Sequence, residues 1–266
     1  MTPEDAAQAA QDLFEAEETG AQIGLLSLRF PGMTLDDAYA VQDALVARKL
    51  AAGRRKIGWK IGLTSRAMQD ALNIETPDSG VLLDNMLFES GDTVPKGRFI
   101  QPRIEAEIAF VMGADLPHGD LNREDILAAT EHVAPALEIL DTRILRSDPA
   151  TGKARVVTDT ISDNAANAGV VLGAARHDPR AVDLRWVGAI VSRDAVVEET
   201  GLGAGVLNDP VTSMIWLARR MEAYGQRIEA GDIVLSGSFI RPVECPTGTQ
   251  IDADFGAFGT VSIAFE

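Results

Sequence analysis

Ile104-Glu105-Ala106-Glu107-Ile108-Ala109-Phe110 is the stretch around which the chain is organised. Its β-branched and aromatic residues, with neither Gly nor Pro among them, are typical of a β-strand. Side chains alternate between the two faces of a strand, so Glu105 and Glu107 point to the same face. Ala109 and Val111 continue that face, and their apolar character predicts that the face is buried. Buried ionised carboxylates are costly unless they are paired or bind a metal ion.

A third acidic residue, Glu138, lies inside a second apolar run, residues 136–140. If these acids converge in the fold, their combined charge is about −3, which suits a hard divalent cation with oxygen ligands, Mg²⁺ first and Mn²⁺ next. The alternative is an ordinary solvated strand face, which is the commoner origin of two Glu residues at positions i and i+2.

The composition limits the partners and the compartment. The chain has 266 residues, which predicts one large domain or one domain with an extension. A net charge of −16 disfavours nucleic acid and anionic membranes as partners. Cys245 is the only cysteine, which excludes an internal disulfide and is typical of the reducing cytosol. We therefore expect a cytoplasmic protein, and the sequence shows neither a signal-peptide pattern nor an apolar run near the ~20 residues of a membrane span.

The predicted secondary structure changes near residue 56 from helices to mainly short strands. Residues 1–55 are expected to form a helical N-terminal extension, with helices at 3–20 and 34–52. Residues 56–266 are expected to form a β-roll catalytic domain, with helices at 65–72, 123–131 and 210–224. Its predicted strands cover 56–63, 80–84, 104–112, 133–141, 168–173, 184–191, 195–200, 231–236 and 258–265. Because strands and helices do not alternate regularly, we predict an α+β fold, a mixed and mostly antiparallel β roll with peripheral helices.

Lys60 stands out in a second strand-like segment, residues 58–65 (GWKIGLTS). On a strand it shares one face with Gly58 and Gly62, and glycines beside a lysine leave room for a ligand against the backbone. Lysine is rarely buried, so this one can bind a carboxylate, or act as an acid or base if its pKa is depressed. The alternative is a lysine at a strand end whose ammonium group lies in water.

Two further segments carry candidate side chains. Asp78 lies in a turn-like segment, residues 77–80, where structural aspartates are commoner than catalytic ones. Ser162 lies in the polar segment 160–169, which is expected either to line a substrate site or to form a capped turn. The three histidines form no metal-ligand pair at helical spacing, which disfavours zinc hydrolase chemistry.

Four segments together resemble the hydratase/decarboxylase branch of the fumarylacetoacetate hydrolase superfamily. They are residues 58–65 (GWKIGLTS), 102–107 (PRIEAE), 135–138 (PALE) and 159–169 (DTISDNAANAG), and the resemblance covers nearly the whole chain. The resemblance implies a fumarylacetoacetate-hydrolase-like mixed β roll and a Mg²⁺ or Mn²⁺ ion held by Glu105, Glu107 and Glu138. It also implies catalytic participation of Lys60 and Asp78, and a closed homo-oligomer built from pentameric rings, a pentamer or a decamer.

The implied reaction is the addition of water to a small-molecule 2-oxo dicarboxylate, a 2-oxo-3-enoic dioic acid, in the catabolism of aromatic compounds. The second carboxylate of such a substrate needs a local cation in so acidic a protein. We expect Arg241 to bind it, with Arg185 as the next candidate. The alternative for Arg241 is a surface arginine paired with an acid.

The resemblance also leaves other functions open. Decarboxylation of a 4-oxalocrotonate-type acid and hydration of a 2-hydroxypentadienoate (vinylpyruvate-type) acid are the alternatives on the same scaffold, and the metal-binding motif does not separate them. A carbon–carbon hydrolase of the wider superfamily and a non-catalytic partner of a related enzyme are more distant alternatives.

Overall fold

Two mixed β-sheets form the centre of the computed structural model, which describes residues 1–66, 69–70, 74 and 76–266. Within these residues the larger sheet has eight strands: β1 (Lys56–Gly62), β2 (Asp78–Leu83), β3 (Leu87–Glu89), β5 (Arg103–Met112), β6 (Thr130–Leu140), β7 (Asn167–Leu172), β10 (Ile233–Leu235) and β11 (Val243–Glu244). The smaller sheet has five: β4 (Thr93–Val94), β8 (Gly188–Arg193), β9 (Val196–Leu202), β12 (Thr249–Asp254) and β13 (Thr260–Phe265). The strand orders are β2-β1-β10-β5-β6-β7-β3, with β11 beside β5, and β4-β13-β12-β8-β9.

The predicted mixed and mostly antiparallel β roll with peripheral helices is confirmed. Three pairs are parallel, namely β1 with β10, β3 with β7 and β4 with β13, and the remaining pairs between the described strands are antiparallel. Two local predictions are wrong. Residues 184–186 form a 3₁₀ turn capped by Asp183, so the strand predicted at 184–191 begins only at Gly188. Residues 78–80 belong to β2 and not to a turn, because pairing with β1 overrides their turn propensity.

Three of the described α-helices precede β1, and the others lie between later strands. They are α1 (Pro3–Thr19), α2 (Leu26–Arg29), α3 (Leu35–Ala51), α4 (Arg123–Ala129), α5 (Val157–Ser162) and α6 (Pro210–Ala223). The side chains of Thr2 and Thr34 accept hydrogen bonds from the third helical residue of α1 and α3, as capping residues do. The helix predicted at 65–72 lies partly outside the described residues. No helix in the described part of the chain is both long and apolar enough to cross a membrane.

The two N-terminal helices, α1 and α3, pack against each other and against the sheet region. Their shared apolar cluster includes Leu13, Val41 and Leu45 together with Ile144 from beyond the first strands. The Gln42 side chain on α3 donates hydrogen bonds of 2.9 Å to the backbone carbonyls of Ser79 and Ile161. The division into a helical extension (1–55) and a β-roll domain (56–266) stays a prediction.

One face of the larger sheet carries both an apolar cluster and the acidic residues. Pairing of β5 with β6 puts Glu105 opposite Glu138 and Glu107 opposite Ala136. Further along the same face, a cluster of fully or largely buried apolar side chains fills the interior: Leu82, Ala109, Ala136, Val170, Ile233 and Leu235. The cluster covers one end of the face, so the acids at the other end lie at the boundary of an apolar interior.

Candidate active site

Glu105, Glu107 and Glu138 come together on that face. Each offers a carboxylate oxygen, and the three oxygens lie within 4.8 Å of one another. Glu107 and Glu138 are fully buried and Glu105 is partly exposed, so the alternative of an ordinary solvated strand face is wrong. Two ligands on opposite sides of a Mg²⁺ ion are roughly 4.2 Å apart, so small side-chain rotations would bring all three carboxylates onto one cation.

Two of the carboxylates each have one oxygen without a hydrogen-bond partner among the described residues. One oxygen of Glu107 accepts the backbone N–H of Gly237 at 2.7 Å, and one oxygen of Glu138 accepts the Asn167 amide at 2.9 Å. The other oxygens, Glu107 Oε1 and Glu138 Oε2, are buried and have no hydrogen-bond partner among the described residues. Unpaired buried oxygens are costly, and oxygen atoms are the ligands that hard divalent cations prefer. The residues present therefore fit a divalent metal ion.

The pKa values of the triad carboxyls also favour a bound cation. Burial raises the pKa of Glu105 to about 8, with the nearby Glu138 carboxylate adding to the effect. Burial, Glu138 and Glu105 together raise the pKa of Glu107 well above its usual range. Without a cation, the cluster therefore holds protons that a free carboxyl would have lost at neutral pH.

Lys60 is buried beside the triad, with 3% of its surface exposed. Its Nζ lies 3.4 Å from Glu138 Oε1 and 4.0 Å from Asp78 Oδ1, and it donates a hydrogen bond of 3.1 Å to the Ala165 carbonyl. The alternative of a lysine with its head in water is therefore wrong. Burial lowers the pKa of Lys60, but Glu138 and Asp78 outweigh it and raise the pKa. A depressed pKa, the condition set for a basic role, is not what this environment produces.

Asp78 begins β2 directly opposite Gly62 and is 98% buried, with 2% of its surface exposed. Its Oδ1 has no hydrogen-bond partner within the described ranges. Burial raises the pKa of Asp78, and the Lys60 cation opposes the shift. Asp78 thus presents a buried carboxyl with one unpartnered oxygen beside Lys60, and its catalytic role stays a prediction.

The space beside the two glycines next to Lys60 is occupied by protein atoms, not left open for a ligand. A Cβ on Gly62 would lie 2.2 Å from Asp78 Oδ1 and 2.8 Å from Lys60 Nζ, so a larger residue there would displace one of these two side chains. A Cβ on Gly58 would lie 1.8 Å from the Ile233 carbonyl oxygen. The expectation of ligand space at these glycines is wrong, because neighbouring protein atoms fill it.

Sequence reasoning missed the groups that hold the charged side chains. Asn167 lies in the quoted segment 159–169 but was given no role, Gly237 contributes a backbone N–H, and Ala165 acts through its backbone carbonyl. The turn before β7 places this carbonyl: Asn164, Ala165 and Ala166 have φ values of 51°, 52° and 59°. Such left-handed conformations cost about 1 kcal/mol or more per non-Gly residue. Two hydrogen bonds between the Asn164 side chain and the Val81 backbone, of 2.8 and 2.9 Å, hold the turn.

Among the described residues, the two predicted substrate-binding residues form no hydrogen bond or ion pair with the acidic triad, Lys60 or Asp78. Ser162 is buried near the end of α5, where its hydroxyl donates a hydrogen bond of 2.8 Å to the Thr158 carbonyl. The Arg241 side chain is 80% exposed and pairs with Glu199 at 2.6 Å. Arg185 is exposed as well. Substrate binding by Ser162 and Arg241 stays a prediction.

The chain was compared with known proteins. No protein-family model matches it. It is 48% identical to a 2-oxo-hept-4-ene-1,7-dioate hydratase of Escherichia coli over 256 residues, which is 96% of both chains. It is 39% identical to a 2-keto-4-pentenoate hydratase of Paraburkholderia xenovorans over 266 residues, 100% of this chain and 97% of the relative.

The solved structures that share the fold include a decarboxylase and a hydrolase. The 4-oxalocrotonate decarboxylase from Pseudomonas putida G7, complexed with magnesium and adipate, matches with a TM-score of 0.93 and 32% identity over 100% of this chain and 99% of that one. The fumarylacetoacetate hydrolase of Exiguobacterium antarcticum matches with a TM-score of 0.59 and 15% identity over 79% of this chain and 75% of that one. At that identity the second likeness concerns the fold alone.

Proposed function

Because the chain belongs to the hydratases of the hydratase/decarboxylase branch of the fumarylacetoacetate hydrolase superfamily, we propose that it adds water to a 2-oxo-enedioate. The substrate proposed is 2-oxohept-3-ene-1,7-dioate, and the product is 4-hydroxy-2-oxoheptanedioate. The observation that carries the proposal is the triad of carboxylates, two with an unpartnered oxygen, lying beside the Lys60–Asp78 pair. The choice of a dicarboxylate is supported by the relative at 48% identity, whose name specifies one.

The proposed cofactor is Mg²⁺ or Mn²⁺, held by Glu105, Glu107 and Glu138. A 2-oxo acid offers two oxygens in chelating positions, and a cation bound there would stabilise the negative charge that develops on the 2-oxo oxygen as water adds to C4. Asn167 and Gly237 keep Glu138 and Glu107 oriented through their hydrogen bonds.

The Lys60–Asp78 pair supplies the proton transfers in this proposal. Asp78 Oδ1 accepts a proton from the attacking water, because this oxygen is unpartnered and the carboxyl has a raised pKa. Lys60 delivers a proton to C3, because its surroundings keep it charged. The 4.0 Å between Nζ and Oδ1 lets the proton then return from Asp78 to Lys60 through a small side-chain movement, which restores the starting state.

The name of the E. coli relative places the double bond at C4. A substrate in that form has no double bond in conjugation with the 2-oxo group, so water has no electrophilic C4 to attack. One earlier proton transfer, from C3 to C5, converts it into the conjugated 3-ene. The same two side chains are the groups proposed to move this proton.

Decarboxylation of a 4-oxalocrotonate-type acid is the second candidate, favoured by the TM-score of 0.93 to a decarboxylase. The test is to incubate the protein and Mg²⁺ with each 2-oxo-enedioate, and to measure CO₂ release and product mass. Hydration predicts a product heavier by one water and no CO₂. Release of CO₂ without added water would overturn the proposal. Lys60→Met serves as the control that should abolish either reaction.

We also propose a setting for this activity. The hydratase relatives support a place in the catabolism of aromatic compounds, of which homoprotocatechuate degradation is the branch that yields a heptenedioate. The lone, buried Cys245 suits a reducing cytoplasm. A homo-oligomer, pentamer or decamer, and a division into an extension (1–55) and a catalytic domain (56–266) are proposed from the family resemblance. Light scattering on the purified protein tests the oligomer.

A further inference from the structure

We propose that Arg103 and Arg155 form a carboxylate-binding subsite at the end of the site beyond Glu105, which takes the carboxylate of the substrate that lies far from the 2-oxo group. This inference rests on the proposed function, because only a dicarboxylate substrate has such a group. It replaces the exposed Arg241 with two partly buried guanidinium groups.

Arg103 reaches the site from β5. It is the first residue of that strand, and alternation puts its side chain on the same face as Glu105 and Glu107. The rise of a strand separates the Cα atoms of Arg103 and Glu105 by about 7 Å. A seven-carbon acid spans a similar length, roughly 7 Å, when its bonds of about 1.5 Å are extended. A substrate with its 2-oxo end at the acidic triad therefore has its far end near Arg103.

Arg155 approaches from the loop that precedes α5. The loop is held by a bridge between Ser147 and Ala154 and by a hydrogen bond of 2.9 Å from the Arg155 N–H to the Arg146 carbonyl. The helix that follows, α5, packs beside β2, because the Gln42 amide donates hydrogen bonds of 2.9 Å both to the Ile161 carbonyl on α5 and to the Ser79 carbonyl on β2. Arg155 therefore comes from a segment next to the strand that carries Asp78. In keeping with this, burial raises the pKa of Asp78 and the Arg155 cation is among those that oppose the shift.

Neither guanidinium group has a carboxylate partner among the residues that the structure describes. Arg103 Nε and Arg155 Nη1 are buried without a hydrogen-bond partner, and neither arginine has a carboxylate within 4.0 Å among the described residues. Their neighbours differ: Arg143 pairs with Asp163 at 2.5 Å, and Arg146 pairs with Glu244 at 2.7 Å.

Such an arrangement costs free energy in a chain with 40 acidic residues available as partners. The chain brings the two arginines to neighbouring segments: Glu244 lies opposite Arg103 in the pairing of β11 with β5, and it pairs with Arg146, whose carbonyl accepts the Arg155 N–H. Burial lowers the pKa of the Arg155 guanidinium, the Asp163 carboxylate opposes this, and the Arg103 cation lowers the pKa as well. A carboxylate between them would supply charge-assisted hydrogen bonds to donors that now have none. The unpaired donors of the two arginines therefore suit a carboxylate as their ligand.

The test measures how the protein distinguishes a dicarboxylate from a monocarboxylate. The full-length protein with Mg²⁺ is assayed on the 2-oxo-enedioate and on the five-carbon 2-oxo-enoate, which has no far carboxylate. Arg103→Met and Arg155→Met should each lower kcat/KM for the dioate about a hundredfold, about 2.7 kcal/mol, and change it less than about threefold for the monoacid. Arg155→Lys should recover part of the loss, since lysine keeps the charge without the fork of donors. Arg219→Met, which removes an exposed arginine, is the matched control.

Binding of unreactive acids gives a second readout. Wild-type protein with Mg²⁺ should bind 2-oxoheptanedioate more tightly than 2-oxopentanoate in a calorimetric titration, and the two Met variants should lose this preference. Equal losses on both classes of acid would overturn the subsite, because the arginines would then serve only the metal site. A selective loss in Arg241→Leu with none in the two Met variants would also overturn it. If wild-type protein hydrates neither acid, the proposed function fails, and the binding preference still decides the subsite.

Discussion

Cation binding to the triad should depend strongly on pH, because the metal-free site holds protons. Burial and Glu138 raise the pKa of Glu105 to about 8, so below pH 8 a cation must displace a proton from this carboxyl. The fraction of Glu105 that is ionised grows about a hundredfold between pH 6 and pH 9. The apparent association constant for Mg²⁺ should rise by that factor, about 2.7 kcal/mol. The raised pKa of Glu107 acts in the same direction.

Calorimetry at several pH values, in buffers of different ionisation enthalpy, measures both the affinity and the number of protons released. About one proton or more should be released at pH 6.5, and the release should decline above pH 8. Glu222→Gln, which changes an exposed acid away from the triad, should keep this dependence. An affinity that stays constant from pH 6 to pH 9 would refute the reasoning.

The stability of the metal-free protein follows from the same shift. The unfolded chain loses the Glu105 proton near the ordinary glutamate pKa of 4.5, whereas the folded chain holds it to a pKa of about 8. Protons bound only by the folded state mean that stability falls as pH rises between these values. The melting temperature of the metal-free protein should therefore contain a decreasing contribution from about pH 5 to pH 8, which saturating Mg²⁺ removes.

Three substitutions or reactions test other parts of the site. Lys60→Met should lower kcat by about a hundredfold or more while leaving Mg²⁺ affinity undiminished, since it removes a cation and not a ligand; wild-type kcat would contradict its role. Gly62→Ala should lower kcat about ten- to a hundredfold in a folded protein, because its Cβ would lie 2.2 Å from Asp78 Oδ1, and unchanged kcat would show that this approach is unimportant. Cys245, whose pKa burial raises to about 12, should resist iodoacetamide in the native protein at pH 8, and rapid alkylation would contradict its burial.

The sequence predicted the parts of the site that depend on local pattern. Alternation along one strand identified Glu105 and Glu107, and an acid in an apolar run identified Glu138. Lys60 was predicted as a site residue because a lysine is unusual in an apolar segment that contains Trp and Ile. These signals are readable because each is an exception to the usual separation of charged and apolar residues.

The remaining features depend on contacts between distant segments. The pKa of Lys60 rises because Glu138 and Asp78 lie beside it, and no local pattern encodes that proximity. The strand Thr249–Asp254 was not predicted, because its Asp and Gln residues lower its β-strand propensity. Pairing with β13 on one side and β8 on the other stabilises it. Ala165 contributes a backbone carbonyl, which any residue type would offer.

The central claim is that three carboxylates of one sheet face hold a divalent cation. Crystals grown with Mn²⁺ and oxalate, measured for anomalous scattering, test it most directly. The account predicts one strong peak roughly 2 Å from an oxygen of each of Glu105, Glu107 and Glu138, and loss of that peak in crystals of Glu107→Gln with the fold unchanged. A peak at another site, or an undiminished peak in the Glu107→Gln crystals, would contradict it.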